Sequence, residues 1–377
     1  MSTIHWTEAR TTRSARWHSE NATPPPRRVV VADDRMRADT AYRLACEGTA
    51  LLWRGDFPDA RHLLRAMGRR IDRSRPRTGG SAAESFHLHR RARAHRARIL
   101  GRLLVPLDDD HCLALRRAPD VRQACAEAYG QPREPLVISL RELLGVIGAH
   151  EWRRTGVEVP ALGARIHPHY GVFSPVRGEY VDLVAHAALP ASARRGAGPR
   201  TAFDLGTGTG VLAAVLARRG LGHLVATDIS PRALVCAREN VRRLDLDTRV
   251  DVVGPGLFPE GRADLVVCNP PWIPARPTSA LEQGVYDPDG AMLHGFLYGL
   301  AAHLEPGGEG WLILSDLAEH LGLRTRGELL TAIEAAGLRV VNTSETRPRH
   351  PRVRDGADPL HAARAAEVTT LWRLAVD

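Results

Sequence analysis

Two short segments bring together residue types that can do chemistry. In the run Asp204-Leu205-Gly206-Thr207-Gly208-Thr209-Gly210, three glycines alternate just before a helical stretch. Glycines permit the turn and let a ligand approach the backbone closely. Free N–H groups at a helix start favour a negative group such as a carboxylate. The spacing G-x-G-x-G differs from the dinucleotide pattern G-x-G-x-x-G, in which pyrophosphate sits on the helix. Eighteen positions after Gly210, the run Ala226-Thr227-Asp228-Ile229-Ser230 ends an apolar strand on an acid. That acid either accepts both hydroxyls of a ribose or caps the helix opening at Pro231. The order strand, glycine turn, helix, strand, acid favours a nucleoside.

The second segment is Asn269-Pro270-Pro271-Trp272, at the end of the strand 263–268. Two successive prolines fix φ and remove two N–H donors. Backbone carbonyls there are free of a ladder and can face a cleft. The Asn269 and Pro270 carbonyls can together accept from both hydrogens of a planar –NH2 group. Trp272 offers a ring for stacking or for a cation. Downstream, Glu282, Tyr286, Asp287 and Asp289 form an acidic loop that would suit a cationic acceptor such as a guanidinium. Upstream, YGVFSPVRGEY at 170–180 reads as a lid over the ligand. In it Phe173 would pack on a cofactor, while Tyr170, Arg177 and Glu179 would face a substrate.

These residues need a scaffold. From about residue 168 to 377, short β-branched runs alternate with amphipathic helices, which implies a doubly wound, mostly parallel sheet with helices on both faces. Such sheets bind ligands beyond the carboxyl ends of their strands, where strand order reverses. Residues 1–28, rich in Thr, Arg, Ser and Pro, read as a flexible tail, and residues 29–160 as a mainly helical domain serving substrate recognition. Within it, Tyr42, Leu44, Ala45, Leu51 and Leu52 form one apolar face, resumed by Ala60, Leu63, Leu64 and Met67 after Gly55-Asp56-Phe57-Pro58, as in a helical hairpin. The helix after residues 73–82 carries Arg90, Arg91, Arg93, Arg96, Arg98 and Arg102.

The 377 residues are 44% hydrophobic and 25% charged, which excludes a wholly disordered or fibrous chain. The apolar runs are too short for a membrane span, and the first residues lack the apolar stretch of a secretory signal. Five widely spaced cysteines without a C-x-x-C, and no His cluster at ligand spacing, point to reduced thiols, a cytoplasmic protein and no metal. The net charge is +9, and every basic residue is Arg. An Arg-coding bias explains the scatter of these residues better than an RNA partner does.

The glycine run and Asp228 resemble the first motif and the ribose-binding acid of class I S-adenosylmethionine-dependent methyltransferases. That resemblance implies a Rossmann-like, seven-stranded α/β domain with S-adenosyl-L-methionine as cofactor. It implies that Gly206, Thr207, Gly208 and Gly210 follow the amino-acid part of the cofactor, with Asp204 orienting their loop and Asp228 holding the ribose. Ile229 and Leu257 would sandwich the adenine. Where many members have D-L-F, this chain has Gly256-Leu257-Phe258, so the adenine would be read by backbone. The N-P-P-W run resembles the N-P-P-[YFW] signature of methyltransferases acting on planar, conjugated nitrogens. Gly284–Pro288 followed by Ala291-Met292-Leu293 is similar to an element of the protein-glutamine methyltransferases (HemK-type). Tyr170–Ser174 is similar to one in the ribosomal-RNA guanine methyltransferases. The resemblance implies an N-methyltransferase for an amide or guanidine nitrogen of an amino-acid side chain, in a protein or a small molecule, with an RNA base as the alternative. Asn269, Pro270 and Trp272 would be its catalytic group, and the oligomeric state stays open.

Overall fold

A computed structural model of the protein describes residues 2–73, 79–176, 178–194, 200–279, 281–349, 356 and 358–377. The chain divides into two compact units, Met1–Gly79 with His87–Glu151, and Gly80–Phe86 with Trp152–Asp377.

The first unit is built on a six-stranded sheet. Its elements run β1 (Thr3–Glu8), β2 (Thr11–Trp17), β3 (Arg28–Ala32), α1 (Ala38–Cys46), β4 (Thr49–Trp53), α2 (Phe57–Asp72), α3 (Ala82–Leu100), β5 (Leu103–Leu107), α4 (Arg122–Tyr129), β6 (Leu136–Ser139) and α5 (Leu140–Thr155). The strand order is β1-β2-β6-β5-β4-β3. This corrects one expectation and completes another. Residues 1–28 are not a flexible tail throughout, because β1 and β2 pair antiparallel from Thr3↔Arg16 to Glu8↔Thr11. The cause is visible in TIHWTE, where Ile4 and Trp6 sit two apart on one face of a strand and are buried against Ala50, Leu52, Leu104 and Val137. Five helices fall within 29–160, as a mainly helical domain requires, but they accompany strands β3 to β6 of a sheet that the expectation left out. VVVA, TALLW, LLVPL and LVIS are mostly apolar runs of only four or five residues, too short for periodicity to separate strand from buried helix. Leu51 and Leu52 therefore lie in β4 rather than on a helical hairpin.

The second unit opens with the small hairpin β7 (Val157–Val159) and β8 (Ala164–Ile166), followed by α6 (Glu179–His186) and α7 (Ala191–Arg194). Then come β9 (Thr201–Leu205), α8 (Val211–Arg218), β10 (His223–Thr227), α9 (Pro231–Arg243), β11 (Val250–Val253), β12 (Ala263–Cys268), α10 (Ala291–His303), β13 (Leu304–Ser315), α11 (Leu317–His320), α12 (Arg326–Ala335), β14 (Leu338–Thr346), α13 (His361–Ala366) and β15 (Thr369–Val376). The seven-stranded sheet has the order β11-β10-β9-β12-β13-β15-β14. Strands β11, β10, β9, β12 and β13 are mutually parallel, and β15 runs antiparallel between β13 and β14.

Alternation within each strand sends side chains to two cores. Ala202, Leu224, Leu265, Val267 and Ile313 pack under α6 and α8, while Phe203, Leu205, Val266, Cys268 and Leu312 pack under α10 and α12. Strands covered on both faces read as continuous apolar runs, which is why this half was legible as a parallel sheet. Local signals start the helices. Ser230 caps α9 ahead of Pro231, and Thr325 with Glu328 forms a reciprocal capping box on α12.

The β1–β2 hairpin gives a direct test. Ile4→Ala is expected to destabilise the first unit by about 2–5 kcal/mol, as for other deletions of buried branched side chains. Urea unfolding followed by tryptophan fluorescence measures it. A loss within about 0.5 kcal/mol is what a mobile tail would give.

Candidate active site

Sheet register sets the site. Leu205 of β9 pairs with Thr227 of β10 and with Cys268 of β12. The next residues, Gly206, Asp228 and Asn269, therefore leave the sheet at one level. Strand order reverses between β9 and β12, so the glycine turn, the acid and the N-P-P-W run border the same crevice.

The glycine turn is fastened from below. Gly206, Gly208 and Gly210 have φ of 70°, 56° and 82°, a region L side chains seldom adopt. Beneath them Asp204 is 1% exposed, and its Oδ2 accepts from Thr207 Oγ1 at 2.6 Å and from the Ala213 N–H at 3.0 Å. Burial pushes the Asp204 carboxyl up to about 6, against the two hydrogen bonds that favour its ionised form. The Thr207 N–H donates to the Thr227 carbonyl, tying the turn to β10.

Asp228 ties the glycine turn to the loop after β10. Its Oδ2 accepts from the Gly208 N–H at 3.0 Å and its Oδ1 from the Ser230 N–H at 2.8 Å. Ser230, not Asp228, accepts from Ala233 as the helix cap. A carboxylate has about four acceptor positions, so each Asp228 oxygen keeps capacity for a further donor. Burial raises its carboxyl above the usual range. Ile229 beside it is 75% exposed. Leu257 is half-buried and packs toward Gly295 of α10, where an added Cβ would come within 2.9 Å of its Cδ2. Two bonds hold the segment around Leu257 to the end of β10: the Gly256 N–H donates to the Asp228 carbonyl, and the Thr227 hydroxyl donates to the Leu257 carbonyl.

In the N-P-P-W run, Pro270 is buried and Asn269 and Trp272 are half-buried. The Trp272 Nε1–H donates to Asn269 Oδ1 at 2.9 Å. The indole thus orients the Asn269 side chain, whose carbonyl keeps one lone pair for another donor. Trp272 packs against both sheet cores and against a third cluster containing Ile273, Tyr286, Leu317 and Leu321. It acts as a strut more than as the free stacking face expected from sequence.

The remaining expected residues divide. Phe173 lies against Gly284, whose added Cβ would stand 2.8 Å from Phe173 Cβ, so the 170–174 segment reaches the loop after N-P-P-W. The Arg232 guanidinium sits 5.5 Å from the Tyr170 ring centre. The acidic loop differs from expectation. Asp287 is 4% exposed and caps α10, accepting from the Met292 N–H at 3.0 Å and the Leu293 N–H at 3.1 Å. Glu282 closes its own turn on the Thr278 N–H and hydroxyl. Tyr286 is buried beside Phe86 and Ile273. Glu179 is buried and accepts from the Arg349 N–H at 3.0 Å. Arg177 lies outside the described residues. The structure adds Met292, whose Cε covers Gly206. Only the fold brings those two together, so no sequence signal marks the contact.

Residues 163–326 match the family model described as the methyltransferase small domain. This segment is a methyltransferase small domain, and S-adenosylmethionine is the cofactor it implies. The chain is 36% identical to a release factor glutamine methyltransferase of Cereibacter sphaeroides, over 44% of this chain and 59% of that protein. It is 39% identical to a ribosomal protein L11 methyltransferase of Pelotomaculum thermopropionicum, over 38% of this chain and 40% of that protein. The chain thus spans about half the length of these curated relatives. Among solved structures it resembles a ribosomal protein L11 methylase of Lactobacillus delbrueckii subsp. bulgaricus, with 18% identity and a TM-score of 0.36 over 54% of this chain and 83% of that one. Among the described residues no helix is long and apolar enough to cross a membrane, and no His, Cys, Asp and Glu group has the arrangement to hold a metal.

Asp204 gives a pH test of this geometry. Its carboxyl titrates near 3.8 in a free chain and near 6 in the fold. The folded state therefore holds the proton more tightly, and ionisation of Asp204 works against folding. Stability from this group falls as pH rises from about 4 to 6 and is flat above. Asp204→Asn removes that slope. Unfolding free energies of the two proteins across pH 4–7 should show the wild type losing ground to the variant over this window. A constant difference would contradict the burial.

Proposed function

We propose that the protein is an S-adenosylmethionine-dependent N-methyltransferase whose acceptor is the amide nitrogen of a protein glutamine side chain. The observation that carries this reading is the common level of Gly206, Asp228 and Asn269 at the switch point. On this reading Asp228 would be the cofactor-binding acid, and the Asn269 and Pro270 carbonyls would be the amide acceptors across the crevice from it. Support for the protein acceptor comes from the names of the release factor and ribosomal protein relatives.

The residues fit the cofactor on three observations. The backbone at Gly206 and Gly208 is left-handed and offers no Cβ, Asp228 keeps free acceptor positions, and Ile229 presents an exposed apolar surface beside it. Gly206, Thr207, Gly208 and Gly210 would follow its amino-acid end, Asp228 its ribose, and Ile229 and Leu257 its adenine. The cofactor supplies an electrophilic methyl group on a sulfonium whose leaving group is a neutral thioether. The chain's own part is positional. Pro270 and Pro271 hold the backbone so that the Asn269 and Pro270 carbonyls accept from the two amide hydrogens. This raises electron density at nitrogen and fixes its direction of attack, avoiding much of the entropy cost of an encounter in solution, and the nitrogen, having gained the methyl group, would release one of its two protons to solvent. Trp272 keeps Asn269 in that orientation through its indole N–H.

A second reading, an RNA base as acceptor, draws on one observation. The first unit carries 27 arginines against 17 acidic residues, and the second 25 against 26. An RNA acceptor requires binding that weakens steeply with salt as counterions are released.

Asn269→Ala should lower the transfer rate by about 10²-fold or more, as with other lost preorganised contacts, with little change in S-adenosylhomocysteine affinity. Asp228→Ala should do the reverse, weakening S-adenosylhomocysteine binding first. Equal effects in both would contradict the assignment. Labelled S-adenosylmethionine offered with cell proteins, free metabolites or ribosomal RNA should mark the protein pool, and label confined to RNA would overturn the proposed acceptor.

A further inference from the structure

A buried amide outside the machinery described so far joins the glycine turn to the segment that carries Tyr170 and Phe173. Asn240 of α9 is 1% exposed. Its Nδ2 donates to the Thr209 carbonyl, inside the glycine turn, at 3.0 Å and to the His167 carbonyl at 3.2 Å. Its Oδ1 accepts from the His167 N–H at 2.8 Å. Both hydrogens and the oxygen of this amide are thus used, on two stretches of backbone far apart in sequence. Cys236 Sγ, at 3.5 Å from Nδ2, is a weaker third acceptor. An aspartate of the same shape would turn oxygen toward both carbonyls and lose the donors.

From this clamp the segment 167–174 runs along α9 toward the helix start. His169 Nε2 lies 2.8 Å from Glu239 Oε2, Val172 packs with Ala233 and Cys236, and the Arg232 guanidinium sits by the Tyr170 ring. The contacts move back from Asn240 to Arg232 as the segment advances, toward the end of α9 that follows Asp228. Beyond them Phe173 covers Gly284, in the loop after N-P-P-W. The helix itself lies on the glycine turn, where a Cβ added to Gly210 would meet Ala237 at 3.4 Å.

Strand register fixes the strand tips but not the loops above them. The glycine turn after β9 is the cofactor side of the crevice, and the loop after β12 borders the acceptor side. In-line transfer needs a fixed distance between the two, and a displacement of about 1 Å can cost about 10²-fold in rate. The segment 167–174, held by Asn240 at one end and resting on Gly284 at the other, ties the two sides together.

The geometry points to Asn240 as a positioning residue for methyl transfer. It clamps the 167–174 segment to the glycine turn, so that a turn ordered by cofactor also orders the segment and, through Phe173, the acceptor side of the crevice. Asn240 touches neither ligand. Where the acceptor lies rests on the proposed function, whereas the clamp stands on hydrogen bonds alone.

Amide hydrogen exchange of the full chain, read by mass spectrometry with and without S-adenosylhomocysteine, tests the clamp and needs no acceptor. In the wild type S-adenosylhomocysteine should slow exchange in peptides covering 206–212 and also in those covering 166–174, the latter by about three- to tenfold, the scale of one hydrogen bond. In Asn240→Ala it should slow 206–212 and leave 166–174 unchanged. Transfer from labelled S-adenosylmethionine to cell proteins separates positioning from stability. Counted per S-adenosylhomocysteine-binding site, the Asn240→Ala rate should fall at least about tenfold more than the affinity for S-adenosylhomocysteine does. Asn240→Ser, whose hydroxyl can make one of the lost bonds, replaces the alanine variant if that one binds no S-adenosylhomocysteine, with the same expectation. A 166–174 segment indifferent to S-adenosylhomocysteine in the wild type, or slowed equally in the variant, would overturn the inference, and so would equal losses of rate and affinity. The expected exchange pattern with no label on any cell protein would instead overturn the proposed function, and the rate comparison is then read on the pool that gains label.

Discussion

The site depends on the pairing of β9 with β10 and β12. Parallel strands have evenly spaced bonds, and a slip of one residue would exchange every side chain between the two cores. Phe203 and Leu205 on one face and Ala202 on the other leave only one register that buries both sets. In that register Leu205, Thr227 and Cys268 form a row, and the three functional loops start from it together. Packing of apolar residues below thus sets where the polar residues above must meet.

One buried carboxylate transmits that order to the backbone. Asp204, next to last in β9, is buried where solvation is poor, and it is kept there by the Thr207 hydroxyl and the Ala213 N–H. The two bonds join both ends of the glycine turn to β9. Gly208 then reaches Asp228, and the 254–258 segment closes on the end of β10 through the Gly256 N–H and the Thr227 hydroxyl. Few side chains are spent on the cofactor side. The turn's own N–H groups and the tip of β10 make the frame, which is why a chain with Gly256 in place of an acid can still present a complete crevice.

The second unit was largely legible in the sequence because its signals agree with one another. Buried parallel strands gave unbroken apolar runs, glycines marked the positions of positive φ, and the prolines of N-P-P-W marked a strand end. The first unit was less legible. Its strands β3 to β6 are as apolar as a helix face and only four or five residues long, and Ile4 and Trp6 are the sole alternation in a first segment otherwise rich in Arg and Thr. In the site, residue type alone overstated the acidic loop. Asp287 is chemically suited to a cationic ligand, yet its position four residues before Ala291 makes it the acceptor for the first free N–H groups of α10. Trp272 was legible as important but not as a donor to Asn269, since a contact three residues apart in a proline-bound turn depends on the exact backbone. The cover of Gly206 by Met292 joins residues far apart in sequence and was not readable at all.

The most direct measurement is a crystal structure of the protein with S-adenosylmethionine and a glutamine-bearing peptide. The account predicts ribose hydroxyls on the Asp228 carboxylate, the sulfonium beside Gly206, and the glutamine –NH2 group between the Asn269 and Pro270 carbonyls with its nitrogen facing the methyl carbon. A donor bound away from the β9–β10 tips, or those two carbonyls turned out of the crevice, would contradict it.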